Sequence, residues 1–140
     1  MSESSPPNPS RLIAAVSLAT IASVFPGLAS GALAVQASAD FDVSEGTYGW
    51  ALGSFFIGAA VTSLPLGRLA QRLGPRRQLL IGLAATMAIQ LTIALLVSSF
   101  GQMLAMLALA GVANSGVQSA VNLALTQASL PRLGLAIATK

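Results

Sequence analysis

The chain has 140 residues, 54% of them hydrophobic and 8% charged, with a formal net charge of +3. Soluble domains carry about 25% charged residues, so there is too little charge here to coat a globular surface in water. With no cysteine, no histidine and only four acids, there are no disulfides or thiolate metal sites, and no catalytic or metal cluster is indicated.

Three stretches hold no charge at all: residues 12–39, 46–67 and 78–131. About 20 apolar residues suffice to cross a bilayer as a helix, and the last stretch is long enough for two crossings. The expectation is an all-α membrane protein with four spans at about residues 12–37, 48–70, 79–100 and 103–128. The sequence pI near 10.7 would suggest nucleic acid in a soluble protein. Here the bases sit at span ends, where they serve orientation, so the expected partner is the lipid bilayer and not nucleic acid.

In chain order, residues 1–10 are polar and carry Pro6, Pro7 and Pro9, which predicts a disordered tail. Arg11 opens the first span, and Pro26-Gly27 in its middle predicts a kink. Ala37-Ser38-Ala39 resembles a signal cleavage site, but the apolar run before it far exceeds the 7–15 residues of a signal peptide. Asp40, Asp42 and Glu45 make an acidic link, with Ser44 or Thr47 available to cap the second span. Tyr48 and Trp50 are expected at the membrane interface. Gly49, Gly53 and Gly58 suit close helix contact. A basic link follows with Arg68, Arg72, Arg76 and Arg77, then the third span, a tight uncharged turn at residues 98–101, and the fourth span. Pro131 and Arg132 are expected to end it, with residues 133–140 opening a fifth helix that is cut off. Four crossings put Arg11, the arginine link and Arg132 with Lys140 on one side, which the positive-inside rule makes the cytoplasm, with the N-terminus cytoplasmic in a plasma membrane.

The link from Gly67 to Arg77 carries a pattern. Gly67, Arg72, Gly74, Arg76 and Arg77 resemble, in type and spacing, the signature between the second and third helices of the major facilitator superfamily. The acidic link and the Gly- and Phe-rich second span with its late Pro65 resemble that family as well. The resemblance implies a gating role for this loop. One position departs: Gln71 stands where the family has an aspartate that pairs with a helix end of the opposite half. Gln71 still accepts a hydrogen bond but brings no charge. In the fourth span Leu107 stands where proton-coupled antiporters of the family carry an arginine, and no span contains an acid, so nothing supports proton coupling.

Asn114, Gln118 and Asn122 recur every fourth residue and share a face of the fourth span, drifting about 40° per step. Unpaired amides facing lipid are costly, so this face looks at protein or water. It is read as a substrate cavity or as interhelical hydrogen bonding; the resemblance, in which the first and fourth helices line the central cavity, favours the cavity. Ser30 on the first span is a further cavity candidate. Its neighbours Thr20, Ser23, Gly27 and Gly31 read as close packing, Gln36 as an entrance residue, and Gln90 as a packing hydrogen bond.

The family fold has twelve helices in two halves. The resemblance therefore implies the N-terminal fragment of a secondary transporter for a small solute, not active alone, whose partner is the remainder of the transporter. No cofactor or metal is implied. Two other readings are a small four-helix transporter working as a homo-oligomer, which would need a membrane-embedded glutamate absent here, and a non-transporting membrane subunit.

Overall fold

The computed structural model describes the backbone of residues 9–138 and the side chains of Ser10 and residues 12–128. All regular structure among these residues is helical: α1 (Pro9–Ala32), α2 (Ala34–Asp40), α3 (Glu45–Leu73), α4 (Pro75–Leu96) and α5 (Phe100–Ala138). Four segments are long and apolar enough to cross a membrane: Leu12–Ala32, Glu45–Leu73, Pro75–Leu96 and Phe100–Ala128.

Several boundaries differ from the sequence reading. Pro9 and Ser10 already belong to α1, as suits a proline at a helix start, where its missing N–H costs nothing; residues 1–8 lie outside the described residues. Pro26 stays inside α1. A break falls at Leu33, a single residue with φ −98° and ψ 12°. Helical bonds continue across it, from Leu33 N–H to the Ala29 carbonyl at 3.0 Å and from Ala37 N–H to the Leu33 carbonyl at 2.9 Å. At the other end, the expected separation of residues 133–140 is not seen. α5 runs unbroken through Pro131 to Ala138, since an internal proline removes one backbone bond and bends a helix without having to end it. Residues 139–140 lie outside the described residues.

Of the two capping candidates, Ser44 takes the role: its Oγ accepts from the Thr47 N–H at 3.1 Å. The junction between α3 and α4 is tighter still. Gly74 alone joins them, at φ 82° and ψ 153°, and its N–H closes α3 on the Ala70 carbonyl at 2.9 Å. That backbone region is essentially reserved for glycine, and other residues pay of order 1–3 kcal/mol to enter it. Gly74→Ala should therefore lower stability by roughly 1–3 kcal/mol, read as an earlier midpoint in denaturant titration of the purified protein.

Two apolar clusters close opposite ends of the bundle. Near the acidic link, Tyr48, Ala51, Phe55, Leu107 and Ala110 are buried together, with Phe41 and Phe100 against them. At the arginine end, Val16, Ala19, Val117 and Val121 pack with Leu12, Leu79 and Leu83. Tyr48 is thus not an interface residue. Its ring lies 6.0 Å from that of Phe100, and only Trp50 keeps an outward position.

The closest helix pair is α3 with α5. A Cβ on Gly58 would collide with the carbonyl of Ala108, and one on Gly111 with the carbonyl of Phe55. Backbone therefore meets backbone in both directions. In lipid, where apolar surface gains nothing by leaving water, such close packing is the main force between helices. Ser54 adds a polar tie across the same crossing, its Oγ 3.0 Å from the Leu104 carbonyl. Gly27 has the packing role expected of it, with the Phe55 ring against its α-carbon. The outer surface is apolar: Leu18, Leu28, Val61, Leu64, Met87 and Leu95 are all largely exposed. A belt this extensive on every outer helix is what lipid solvates and water does not.

Candidate functional site

The amide stripe of α5 begins where α1 touches it. Ser23, fully buried, donates its hydroxyl to Asn114 Oδ1 at 2.9 Å and lies 3.0 Å from the Thr20 carbonyl. Asn114 is therefore held by α1. Gln118 is half-buried and Asn122 exposed, one and two turns further toward the arginine end. The stripe passes from an interhelical bond at its inner end to open amides at its outer end. Such a face can hydrogen-bond a polar solute through both donor and acceptor atoms without carrying charge.

Ser30 is elsewhere. It is buried on α1 two turns beyond Ser23, about 10 Å along the helix, with its Oγ 3.2 Å from the Tyr48 hydroxyl. The pair lines a small cavity of about 120 Å³, shared with Pro26, Gln90, Met103 and Leu107 near the acidic link. Ser30 and Gln90 are thus brought together with Tyr48, and not with the α5 stripe.

Gln78 has a role that the sequence reading missed. Its side chain is buried, and its Nε2 donates to the Leu66 carbonyl at 2.9 Å and the Gly116 carbonyl at 3.2 Å. One amide thus clasps α3, α4 and α5. Its Oε1 is buried without a partner. The available signal was periodicity: Gln78, Gly82 and Thr86 step by four and form the buried face of α4. Gln78→Leu should cost about 1 kcal/mol, since interhelical bonds in membranes average about 0.6 kcal/mol each, detectable as a lowered melting temperature in detergent.

The arginine-end link has its own geometry. Gly67 has open space where a Cβ would stand. Arg68, Gln71, Arg72, Arg76 and Arg77 are all exposed around the Gly74 turn. Among the described residues no carboxylate lies near them, the acids Asp40, Asp42 and Glu45 being at the far end of the helices.

The family model of the Major Facilitator Superfamily matches residues 10–139. The chain belongs to this superfamily. No curated protein and no solved structure matches it. Membership makes it an integral membrane protein of a transporter family.

Proposed function

We propose that this facilitator chain serves in a secondary transporter of a small, neutral or polar solute, with the α1/α5 face forming one wall of the solute path. The observation that carries the reading is the graded stripe: Asn114 is fixed by Ser23, while Gln118 and Asn122 remain accessible. Open amides at membrane depth are expensive against lipid and useful against water and solute. The arginine end faces the cytoplasm and the acidic link the outside, in a plasma membrane, because cytoplasmic loops collect Arg and Lys. The four helices supply one wall, so the path is closed by further helices of the same transporter.

The Gly74 turn acts as the hinge end of a cytoplasmic gate. With Gln71 in place of a carboxylate, closure relies on neutral hydrogen bonds, which are roughly half as strong as charge-assisted ones. Ser30, paired with Tyr48 in a cavity too small for most solutes, helps hold the outer end of α1 and makes no contact with solute on this reading.

The test is uptake by membrane vesicles containing the complete transporter in which the chain serves, using a panel of labelled sugars, amino acids, nucleosides and organic cations. At least one should accumulate above vesicles lacking the protein. Accumulation of none, with the protein present and folded, would count against transport.

A further inference from the structure

A second feature lies on the opposite side of α5 from α1. Between α3, α4 and α5, at the arginine end, runs a groove of about 280 Å³. Its walls are Leu66, Leu69 and Leu73 from α3 and Ile81, Ala85 and Ile89 from α4, with Leu109 and Val112 of α5 behind. Gly82 and Gly116 lie along its floor, with Gly82 seated closely on α5 at Val117. Leu69, Leu73, Ile81 and Leu109 are exposed at its rims, so it opens outward.

Three properties define what fits there. The first is polarity. Gln78 is the polar side chain among the lining residues, and both its amide hydrogens are committed to the Leu66 and Gly116 carbonyls. A water molecule occupies about 30 Å³ in the liquid and needs two to four polar partners to stay in a cavity. The groove is many times larger and offers almost no partners, so hydrocarbon fills it better than water. The second is length. From Ile81 to Ile89 the wall runs eight residues, about 12 Å, close to one leaflet of a hydrocarbon core about 30 Å thick. The third is charge. Arg77 stands one helical turn before Ile81, in the register Arg77, Ile81, Ala85, Ile89 that carries the groove wall, and Arg72 adjoins Leu73 at its mouth. Both are exposed, and no described carboxylate neutralises them.

We propose that this groove binds one anionic phospholipid, with an acyl chain lying between α4 and α3 and the headgroup phosphate held at Arg72 and Arg77. The site is separate from the solute path and does not depend on transport. An arginine cluster at an anionic leaflet attracts acidic lipids in general; the groove converts that attraction into a fixed position, because the chain and the phosphate must be satisfied together.

The experiment is native mass spectrometry of the full chain, released from micelles doped with equal amounts of phosphatidylglycerol and phosphatidylcholine. The unmodified protein should retain one phosphatidylglycerol severalfold more often than one phosphatidylcholine. Ala85→Phe, which fills the groove, should remove retention of both lipids, and Ala85→Leu should reduce it part-way should the larger residue prevent folding. Arg72→Gln with Arg77→Gln should abolish the preference while leaving retention at the phosphatidylcholine level. Unchanged retention in both Ala85 variants overturns the proposal, as does an unchanged preference in the arginine variant. Displacement of the lipid by glycerol 3-phosphate would mean that the headgroup alone binds, and a lipid-free dimer lost in Ala85→Phe would mean that a second copy fills the groove; either result also overturns it.

Discussion

Gly111→Leu should separate α3 from α5 and lower stability by about 3 kcal/mol or more, at the upper end of what overpacking costs. The size of the effect follows from what the new side chain meets. Already at Cβ it runs into the Phe55 carbonyl oxygen, with the Phe55 carbonyl carbon and the Ala59 nitrogen close behind. These are backbone atoms inside a helix. They have no rotamer to change, so the helices must move apart along the crossing. The same displacement would disturb the Ser54 tie to Leu104 and the Phe55 packing on Gly27. Gly49→Leu is the control, since a Cβ there meets nothing within 4 Å. Unfolding in mixed micelles, followed by far-ultraviolet circular dichroism, should show a large loss for Gly111→Leu and almost none for Gly49→Leu. Equal behaviour of the two would refute the crossing as described.

Gln118→Leu should show the reverse pattern, with stability kept and transport at low solute concentration weakened about tenfold. Gln118 is half-buried and makes none of the interhelical bonds that fix Asn114 or Gln78. Removing its amide therefore breaks no tie in the bundle, and leucine is well tolerated in an apolar helix. On the transport reading the amide meets the solute, and losing one hydrogen bond worth about 1.4 kcal/mol lowers solute affinity about tenfold. Uptake at low solute concentration, compared with the denaturation midpoint of the same variant, separates the two effects. A variant that unfolds early but transports normally per folded molecule would assign Gln118 to packing.

Much of this structure was legible in the sequence because lipid simplifies the rules. Uncharged runs of sufficient length have to be helices, so the four spans could be read from residues 12–39, 46–67 and 78–131. Gly74-Pro75 announced its own turn, since glycine is needed for the positive φ and proline for the following helix start. What resisted reading was which polar residue serves which neighbour. Tyr48 beside Trp50 suggested a pair of interface rings, yet one is buried against Phe100 and Ser30 and the other is exposed. A one-dimensional pattern gives the face a residue occupies and says nothing of which helix covers that face. Gln78 illustrates the same limit. It opens the uncharged stretch after Arg77 and carries no sequence signal of its partners, because its reach to carbonyls on two other helices depends on three-dimensional packing. The stripe on α5 was visible as a period. That its first amide is bound by α1 and its last is open was not, because the partner Ser23 lies ninety-one residues away.

A solute path along α5 requires the outer part of that stripe to meet water. The chain has no cysteine of its own, so single replacements report one position each. Gln118→Cys, Asn122→Cys, Val61→Cys and Met87→Cys would be reacted in native membranes with a charged, membrane-impermeant thiol reagent applied from both sides. Positions 118 and 122 should label readily, while 61 and 87, whose side chains lie on the lipid-facing surface, should stay unreacted until detergent is added. If 118 and 122 prove as inert as 61 and 87, the stripe is buried against lipid or protein and no solute path runs along α5.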